Sequence, residues 1–444
     1  MTNAARIGVG FGNARQHADI YGVFGQQISI KPQILQDYCA SILSPVEEDL
    51  VIVAGAVAFA DRILRRRRAS GWRRDLELSI AVNEPDFWNS SEVLKALVEA
   101  LCFVSGDNWG FNFVSGAKRL CLPQSSLDFT SGPYIVLPFS DGLDSFLQWK
   151  SLRRELPNLA PLRIQSSTRA LSEARNRKIE QFQSREGHRL AIPVQLSVGN
   201  HPEPSFRTRT FLFFSMAALA AAKAGADQIV IGENGVGALG PSLIPYGDEC
   251  PHRTTHPGFT RRLAKFLNIV LKTDLTFDHP QLWRTKGEVI SIASGFHLDG
   301  WEETNSCVRG FRDRLQGRPC GVCSGCLLRR MSVERASLDA ETFFWHDLSK
   351  SSLDESRYNG IGRAATKNDK SIMLHSAHSM NQLARLAELS ERHSVFRGAA
   401  WELSHLGDID QMATSMHALI CRYAAEWRAF VDRWRAESLF LLKG

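Results

Sequence analysis

Two short stretches of the chain hold residues whose types and spacing can do chemistry. The first is Ser140-Asp141-Gly142-Leu143-Asp144-Ser145, a polar hinge between the apolar run Tyr134–Phe139 and a helix-like start at Phe146, Leu147 and Trp149. A strand that turns through Ser, Gly and Asp into a helix offers backbone N–H groups and hydroxyls to an anion, a usual way to hold phosphate. Ser140, Gly142, Asp144 and Ser145 are the candidate donors, and Asp144 can cap the helix or hold a magnesium ion on the phosphates. An ordinary capped strand-to-helix turn accounts for the same residues. Asp141 is the odd member, because a carboxylate facing phosphate repels it unless it turns away or binds metal.

The second stretch carries Cys307, Cys320, Cys323 and Cys326, separated by twelve, two and two residues. Four thiolates fill a tetrahedral zinc shell and leave no position open for catalysis, so the expected role is structural. Gly321 and Gly325 supply the tight turns that cysteines at such short gaps require. Reduced core cysteines are the other reading, and the glycines argue against it. Cys39, Cys102, Cys121, Cys250 and Cys421 stand apart and read as structural.

The elements that must position these residues follow from composition and periodicity. The 444 residues are 44% apolar and 23% charged, with a net charge of +6 and a pI of about 8.9. Those values suit a soluble protein of two to four domains and an anionic small-molecule partner, and the basicity is too mild to argue for nucleic acid unaided. No signal-peptide pattern opens the chain, and the runs Leu50–Ala60 and Phe211–Ala222 are too short to span a bilayer, so a cytoplasmic protein without a membrane partner is expected. Clustered cysteines without an export signal fit metal binding in a reducing compartment.

Residues 1–130 read as a small α+β domain, with strand patterns at Leu76–Val82 and Gly110–Ser115 around a serine-capped helix that stops at a glycine. The arginine run Arg65–Arg68, followed by Arg73 and Arg74, is either a solvated face or a basic patch for an acidic partner surface or RNA. Residues 131–340 alternate strands and helices, which predicts a parallel sheet covered on both faces, with the loops after Phe139, Ser197 and Ile231 meeting over one site. Residues 341–444 have helical periodicity. There Met416, Leu419, Ile420, Tyr423, Trp427, Phe430, Val431 and Trp434 form one stripe, either core or a partner-binding face. Residues 351–371 read as a loop or linker.

Taken together, the loop and the cysteines resemble the PP-loop (HUP-like) ATP pyrophosphatases, and most closely the QueC family of 7-cyano-7-deazaguanine synthases. "FSDGLDS" is similar to that family's SGGxDS loop, and "CGVCSGCLLRR" to its zinc knuckle, down to Arg329. "RTRTFLF" stands where the family turns into a helix, which puts Arg209 in the place of its arginine. "IVIGEN" resembles the strand that ends near the substrate, which implies substrate contacts for Gly232 and Glu233. "LWRTKGEVI" resembles its N-K-x-E stretch and supplies Lys286 and Glu288. The similarity covers about residues 131–335. Asp141 departs from the family's first loop glycine, and Thr210 from its asparagine.

The resemblance implies ATP, Mg²⁺ and Zn²⁺ as cofactors and an AMP-forming ligase. ATP would lie over residues 140–145, with Asp144, Arg209 and Lys286 as catalytic groups. The carboxylate of 7-carboxy-7-deazaguanine would be adenylated and ammonia would then displace AMP, leading on to a nitrile. The additional residues before and after the core are similar to the QueC-like proteins of antiphage defence operons, the Qat and type IV CBASS systems. That branch implies transfer of the acyl group to an amine of a partner protein encoded in the same operon. The ordinary synthase feeding tRNA modification and a catalytically silent scaffold are the competing expectations.

Overall fold

The computed structural model describes residues 4–12, 18–39, 41–66, 72–121, 135–140, 142–156, 161–167, 189–200, 202–244, 250–295, 298–308, 317–338 and 341–436. Asp141, Arg67, Arg68 and the helix expected over 168–183 lie outside them. Two compact units partition the chain. The first comprises Met1–Ser140, Leu152–Ile231 and Pro245–His279, and the second Asp141–Ser151, Gly232–Ile244 and Pro280–Gly444.

The first unit is built on two sheets. Its early elements are β1 (Ala5–Gly10), β2 (Ile20–Val23), β3 (Ile28–Ile30), α1 (Gln33–Cys39), α2 (Pro45–Ile63), β4 (Asp75–Val82), α3 (Pro85–Trp88), α4 (Ser91–Ser105) and β5 (Asn108–Ser115). The strands β2-β1-β4-β5 form one sheet in that order, and every pair is parallel. The strand patterns at 76–82 and 110–115 therefore belong to a parallel layer that helices cover. The second sheet runs β10-β9-β6-β7-β8-β3, from β6 (Ile135–Pro138), β7 (Leu162–Ser167), β8 (Arg189–Leu196), β9 (Gln228–Val230) and β10 (Thr276–Asp278). All its pairs are parallel except β3 with β8, so residues 28–30 lend an antiparallel edge strand to a sheet otherwise drawn from residues 135–278.

Helix α2 explains how the sheets share one core. Its residues Glu48–Asp61 are all buried, because the run Leu50–Ala60 is apolar on every side. A helix apolar all round must be covered all round. It packs on β3 and β4 and against α6 (Arg209–Ala224) and α8 (Pro257–Leu271). Helix α4 ends as its sequence predicts, with Gly106 in the left-handed region at φ 74°.

Two of the arginines, Arg66 and Arg74, turn inward. The Arg66 side chain is 2% exposed and pairs with Asp107 at 2.5 Å and Asp61 at 3.3 Å, while Arg74 reaches the same two carboxylates at 2.6 Å each. Asp61 also accepts from the N–H and hydroxyl of Thr208 at 2.9 and 3.0 Å, and the backbone N–H of Arg66 donates to Glu203 at 2.8 Å. Arg66 and Arg74, which read locally as solvated cations, thus supply the counter-charges of a buried cluster that fixes the turn 203–208 ahead of α6. For Arg66 and Arg74 the surface-patch expectation is corrected, because their guanidiniums are spent on buried carboxylates. Arg65 remains exposed.

The second unit is helical: α5 (Leu143–Glu155, to Ser151 in this unit), α7 (Gly235–Leu243), α9 (Lys286–Ala293), α10 (Ser324–Arg335), α11 (Lys367–Arg385), α12 (Ser394–Trp401) and α13 (Ile409–Trp434). The aromatic stripe of α13 is core. Tyr423, Trp427 and Phe430 are at most 3% exposed and pack in a cluster that includes the four clustered cysteines. The stripe is therefore not an open partner face. Residues 351–366 are also not a free linker, since Leu353 and Ser356 are buried, the Ser356 carbonyl accepts from His346 N–H at 2.7 Å, and Tyr358 N–H donates to the Phe344 carbonyl at 2.8 Å. No helix among the described residues is long and apolar enough to cross a membrane.

Burial alone would raise the Asp61 carboxyl, but Arg74 and Arg66 outweigh it and hold it below the ordinary range. Its contribution to stability is present above the usual aspartate range and is lost as pH falls. Removing one partner of such a cluster strands the others in the core. Asp61→Ala is therefore expected to lower the unfolding free energy by about 3–5 kcal/mol in urea titrations at neutral pH; an unchanged midpoint would contradict this account of the arginine run.

Candidate active site and cysteine cluster

Asp144 lies in the first turn of α5, where a carboxylate is favoured by the unpaired N–H groups and the helix dipole. Two groups from distant segments fasten it. Lys286 Nζ donates to Asp144 Oδ2 at 2.7 Å, and Asn234 Nδ2 donates to Oδ1 at 3.0 Å. Asn234 also donates to Glu233 Oε1 at 2.9 Å, while its own Oδ1 caps α7 by accepting from Gly237 N–H at 3.1 Å. The Asp144 and Lys286 side chains are 20% and 6% exposed, so the pair sits largely out of water yet open on one side.

Lys286 is the first residue of α9. Its position is set by a reciprocal cap, in which Thr285 Oγ1 accepts from Glu288 N–H at 3.1 Å and Glu288 Oε2 accepts from Thr285 N–H at 2.8 Å. Gly232 makes the close approach possible: a Cβ there would lie 2.8 Å from Gln148 Cβ and 3.0 Å from the Asp144 carbonyl oxygen. On the neighbouring turn of α5, Gln148 accepts from Gln281 Nε2 at 2.9 Å, and Gln281 accepts from Arg284 at 2.9 Å. Ser145 Oγ donates to the Gly142 carbonyl at 3.0 Å, which closes the turn at the head of α5.

The loop, the "IVIGEN" end and the "RTKGE" stretch thus converge: Asp144, Gly232, Glu233 and Lys286 are neighbours. Asn234 is the member that sequence reasoning did not single out. Its position before a glycine-rich helix start is the available signal, and that signal reads as an ordinary cap. An ammonium, a carboxamide and the N-terminal ends of α5, α7 and α9 around one carboxylate concentrate positive potential that suits an anion.

Arg209 opens α6 in the first unit, with its guanidinium 5.8 Å from the Phe213 ring centre. Close by, burial pulls His252 down to about 4, and the charges of Arg207, Arg209 and Arg66 add to the effect, so this imidazole is neutral at physiological pH.

The sulfurs of Cys307, Cys320, Cys323 and Cys326 lie within 4.8 Å of one another, and all four residues are buried. The Cys320–Cys326 and Cys323–Cys307 separations are 3.8 and 3.9 Å. A zinc–sulfur bond of about 2.3 Å in a tetrahedron puts sulfurs about 3.8 Å apart, so the four fit such an ion. Cys323 stands at the N-cap position of α10 and Cys326 sits in its first turn, where the helix dipole favours thiolates. Both glycines are required. Gly321 has φ 89° and a Cβ there would meet the Trp345 carbonyl at 2.5 Å, and at Gly325 it would meet the Ser306 carbonyl at 2.0 Å. Arg330 is buried beside the sulfurs, donates to the carbonyls of Trp345 and His346 at 3.0 and 2.6 Å, and is pulled down to about 10 by burial. Arg329 ties the segment before Cys307 to α10 by donating to the carbonyls of Thr304 and Trp301 at 3.0 and 3.1 Å.

A family model described as "Queuosine biosynthesis protein QueC" matches residues 185–337. The 7-cyano-7-deazaguanine synthase of Acinetobacter baylyi (strain ATCC 33305 / BD413 / ADP1) is 30% identical over 232 residues, which covers 48% of this chain and 96% of that protein. The synthase of Aromatoleum aromaticum is 26% identical over 158 residues, 34% of this chain and 63% of the relative. That of Rhodopirellula baltica is 31% identical over 146 residues, 32% of this chain and 55% of the relative.

Because metal binding supplies folding energy at a site of four thiolates, elemental analysis of the purified chain is expected to return one zinc per molecule. Cys323→Ser is expected to lose most of that zinc and to lower the melting temperature; well-folded protein without zinc would contradict the assignment.

Proposed function

We propose an ATP-dependent activation of a deazapurine carboxylate as the reaction of this chain, which belongs to the QueC family of 7-cyano-7-deazaguanine synthases. The observation that carries the reading is the setting of Asp144, held between Lys286 and Asn234 at the head of a helix. A polyphosphate brought to residues 140–145 would meet the N–H groups that open α5 and the Lys286 ammonium. Asp144 is the carboxylate that would hold Mg²⁺, which supplies positive charge to the phosphates. Gly232 and Glu233 are assigned to the deazapurine.

In the first step a carboxylate oxygen of 7-carboxy-7-deazaguanine attacks the α-phosphorus, and the bond to pyrophosphate breaks. In the second an amine attacks the acyl carbon, the carbon–oxygen bond to AMP breaks, and the amine loses a proton. For the amine, the reading favours the N-terminus of a partner protein encoded nearby, in a defence role. The family model ends at residue 337, and about a hundred residues follow it. A protein acceptor needs about 800 Å² of docking surface, and additional structure can supply it. An α-amine with a pKa near 8 is partly unprotonated at neutral pH, unlike a lysine. The second reading is the ordinary synthase acting with ammonia; it is favoured by the coverage of 96% of the Acinetobacter protein.

With ATP, Mg²⁺ and 7-carboxy-7-deazaguanine, the chain is expected to release AMP, and Asp144→Asn to lower that release by about 10²–10³-fold while keeping its zinc. Unchanged AMP release in this variant would overturn the site assignment. Intact-mass measurement of a co-incubated partner separates the two amine readings. A partner heavier by the acyl group supports transfer to protein, and an unmodified partner beside accumulating nitrile supports the ordinary synthase.

A further inference from the structure

Helix α13 lies beyond the residues matched by the family model, yet it reaches the base of the candidate site. Glu426 Oε1 accepts from Thr285 Oγ1 at 2.6 Å. That hydroxyl is the cap of α9, the helix whose first residue is Lys286. With its proton committed to Glu426, the Thr285 oxygen turns a lone pair to the Glu288 N–H and completes the cap. Four residues earlier on the same face of α13, Arg422 pairs with Glu288 at 2.7 Å and donates to the Trp283 carbonyl at 2.6 Å. Both halves of the reciprocal cap are therefore held from α13.

Two glycines record the closeness of the fit. A Cβ at Gly287 would lie 2.9 Å from both Glu426 oxygens, so any larger residue would push this carboxylate aside. At Gly235, the first residue of α7, a Cβ would lie 1.9 Å from the Leu282 carbonyl and 2.8 Å from Leu419 Cδ2 of α13. One face of α13 thus backs the start of α7, which follows Asn234, and the start of α9, which is Lys286. Those are the two groups that hold Asp144.

We propose that Glu426 is a positioning residue for Lys286, and that α13 is an integral part of the site rather than an appended helix. The proposal rests on the reading of Lys286 as a catalytic group, but its physical content is that Lys286 stays in place only while the α9 cap is anchored to α13. The groups facing Glu426 are Thr285 and Glu288 of α9, Arg335 of α10 and Arg422 of α13. Burial, reinforced by Glu288, raises the Glu426 carboxyl to about 7 against the pull of Thr285, Arg335 and Arg422. The folded protein therefore holds a proton there that the unfolded chain gives up at lower pH. Stability should fall as pH rises from the usual glutamate range toward 7.

The test is amine labelling of the full-length protein with acetic anhydride, read residue by residue in a mass spectrometer. Lys265, an exposed lysine with a 56% accessible side chain, serves as the internal reference. Lys286, buried at 5% exposure, is expected to label slowly in the parent protein and at least fivefold faster in Glu426→Ala. Glu426→Gln keeps an acceptor for Thr285 and is expected to restore slow labelling while removing the fall in stability toward pH 7. Thr285→Val, which leaves Glu426 in place, is expected to reproduce the fast labelling and carries the test if Glu426→Ala fails to fold. Parent-like labelling of Lys286 in the folded alanine or valine variant overturns the proposal. AMP release from the same samples is read separately: its absence in the parent defeats the reaction proposed above, and the labelling ratio still decides the anchoring.

Discussion

The second unit is organised around one carboxylate. Asp144 takes an ammonium on one oxygen and a carboxamide on the other, and the three residues stand at the N-terminal ends of three helices. Helix N-termini carry partial positive charge and unpaired N–H groups. Bringing three of them together without a counter-charge is unfavourable, and Asp144 supplies it. The same concentration of positive potential suits an anion such as a polyphosphate.

The supports of this contact are arranged in sequence. The carboxamide of Asn234 serves Asp144 with its nitrogen and caps α7 with its oxygen. Thr285 and Glu288 cap α9 reciprocally, and Glu426 and Arg422 hold that cap from α13. The glycines at 232 and 235 permit close approaches to the Asp144 and Leu282 carbonyls, and Gly287 leaves room for the Glu426 carboxylate. In the same unit, the four buried cysteines meet at the start of α10, and Arg329 and Arg330 donate to the neighbouring carbonyls.

What the sequence made legible is what local spacing encodes. The four cysteines and their two glycines are read directly, because metal geometry and tight turns impose short-range patterns. The strand and helix on either side of the loop at 140–145 and the core character of the apolar run Leu50–Ala60 are legible for the same reason. Features that depend on remote partners are not. Arg66 reads as a surface cation in a run of arginines, and its burial depends on Asp107 and Glu203, which lie 41 and 137 residues away. Asn234 looks like an ordinary cap, and Glu426 like a polar position on an amphipathic helix until Thr285, 141 residues earlier, is placed against it. The aromatic stripe of α13 has the right period for either core or interface, and burial decides for core.

The central claim is that this arrangement activates a carboxylate on the α-phosphorus of ATP. Exchange of labelled pyrophosphate into ATP isolates that step from whatever amine follows. The account predicts exchange that depends on 7-carboxy-7-deazaguanine and is absent with the deazapurine that lacks the carboxylate. Failure of the deazapurine carboxylate to support exchange, with ADP and phosphate as the only products from ATP, would contradict it.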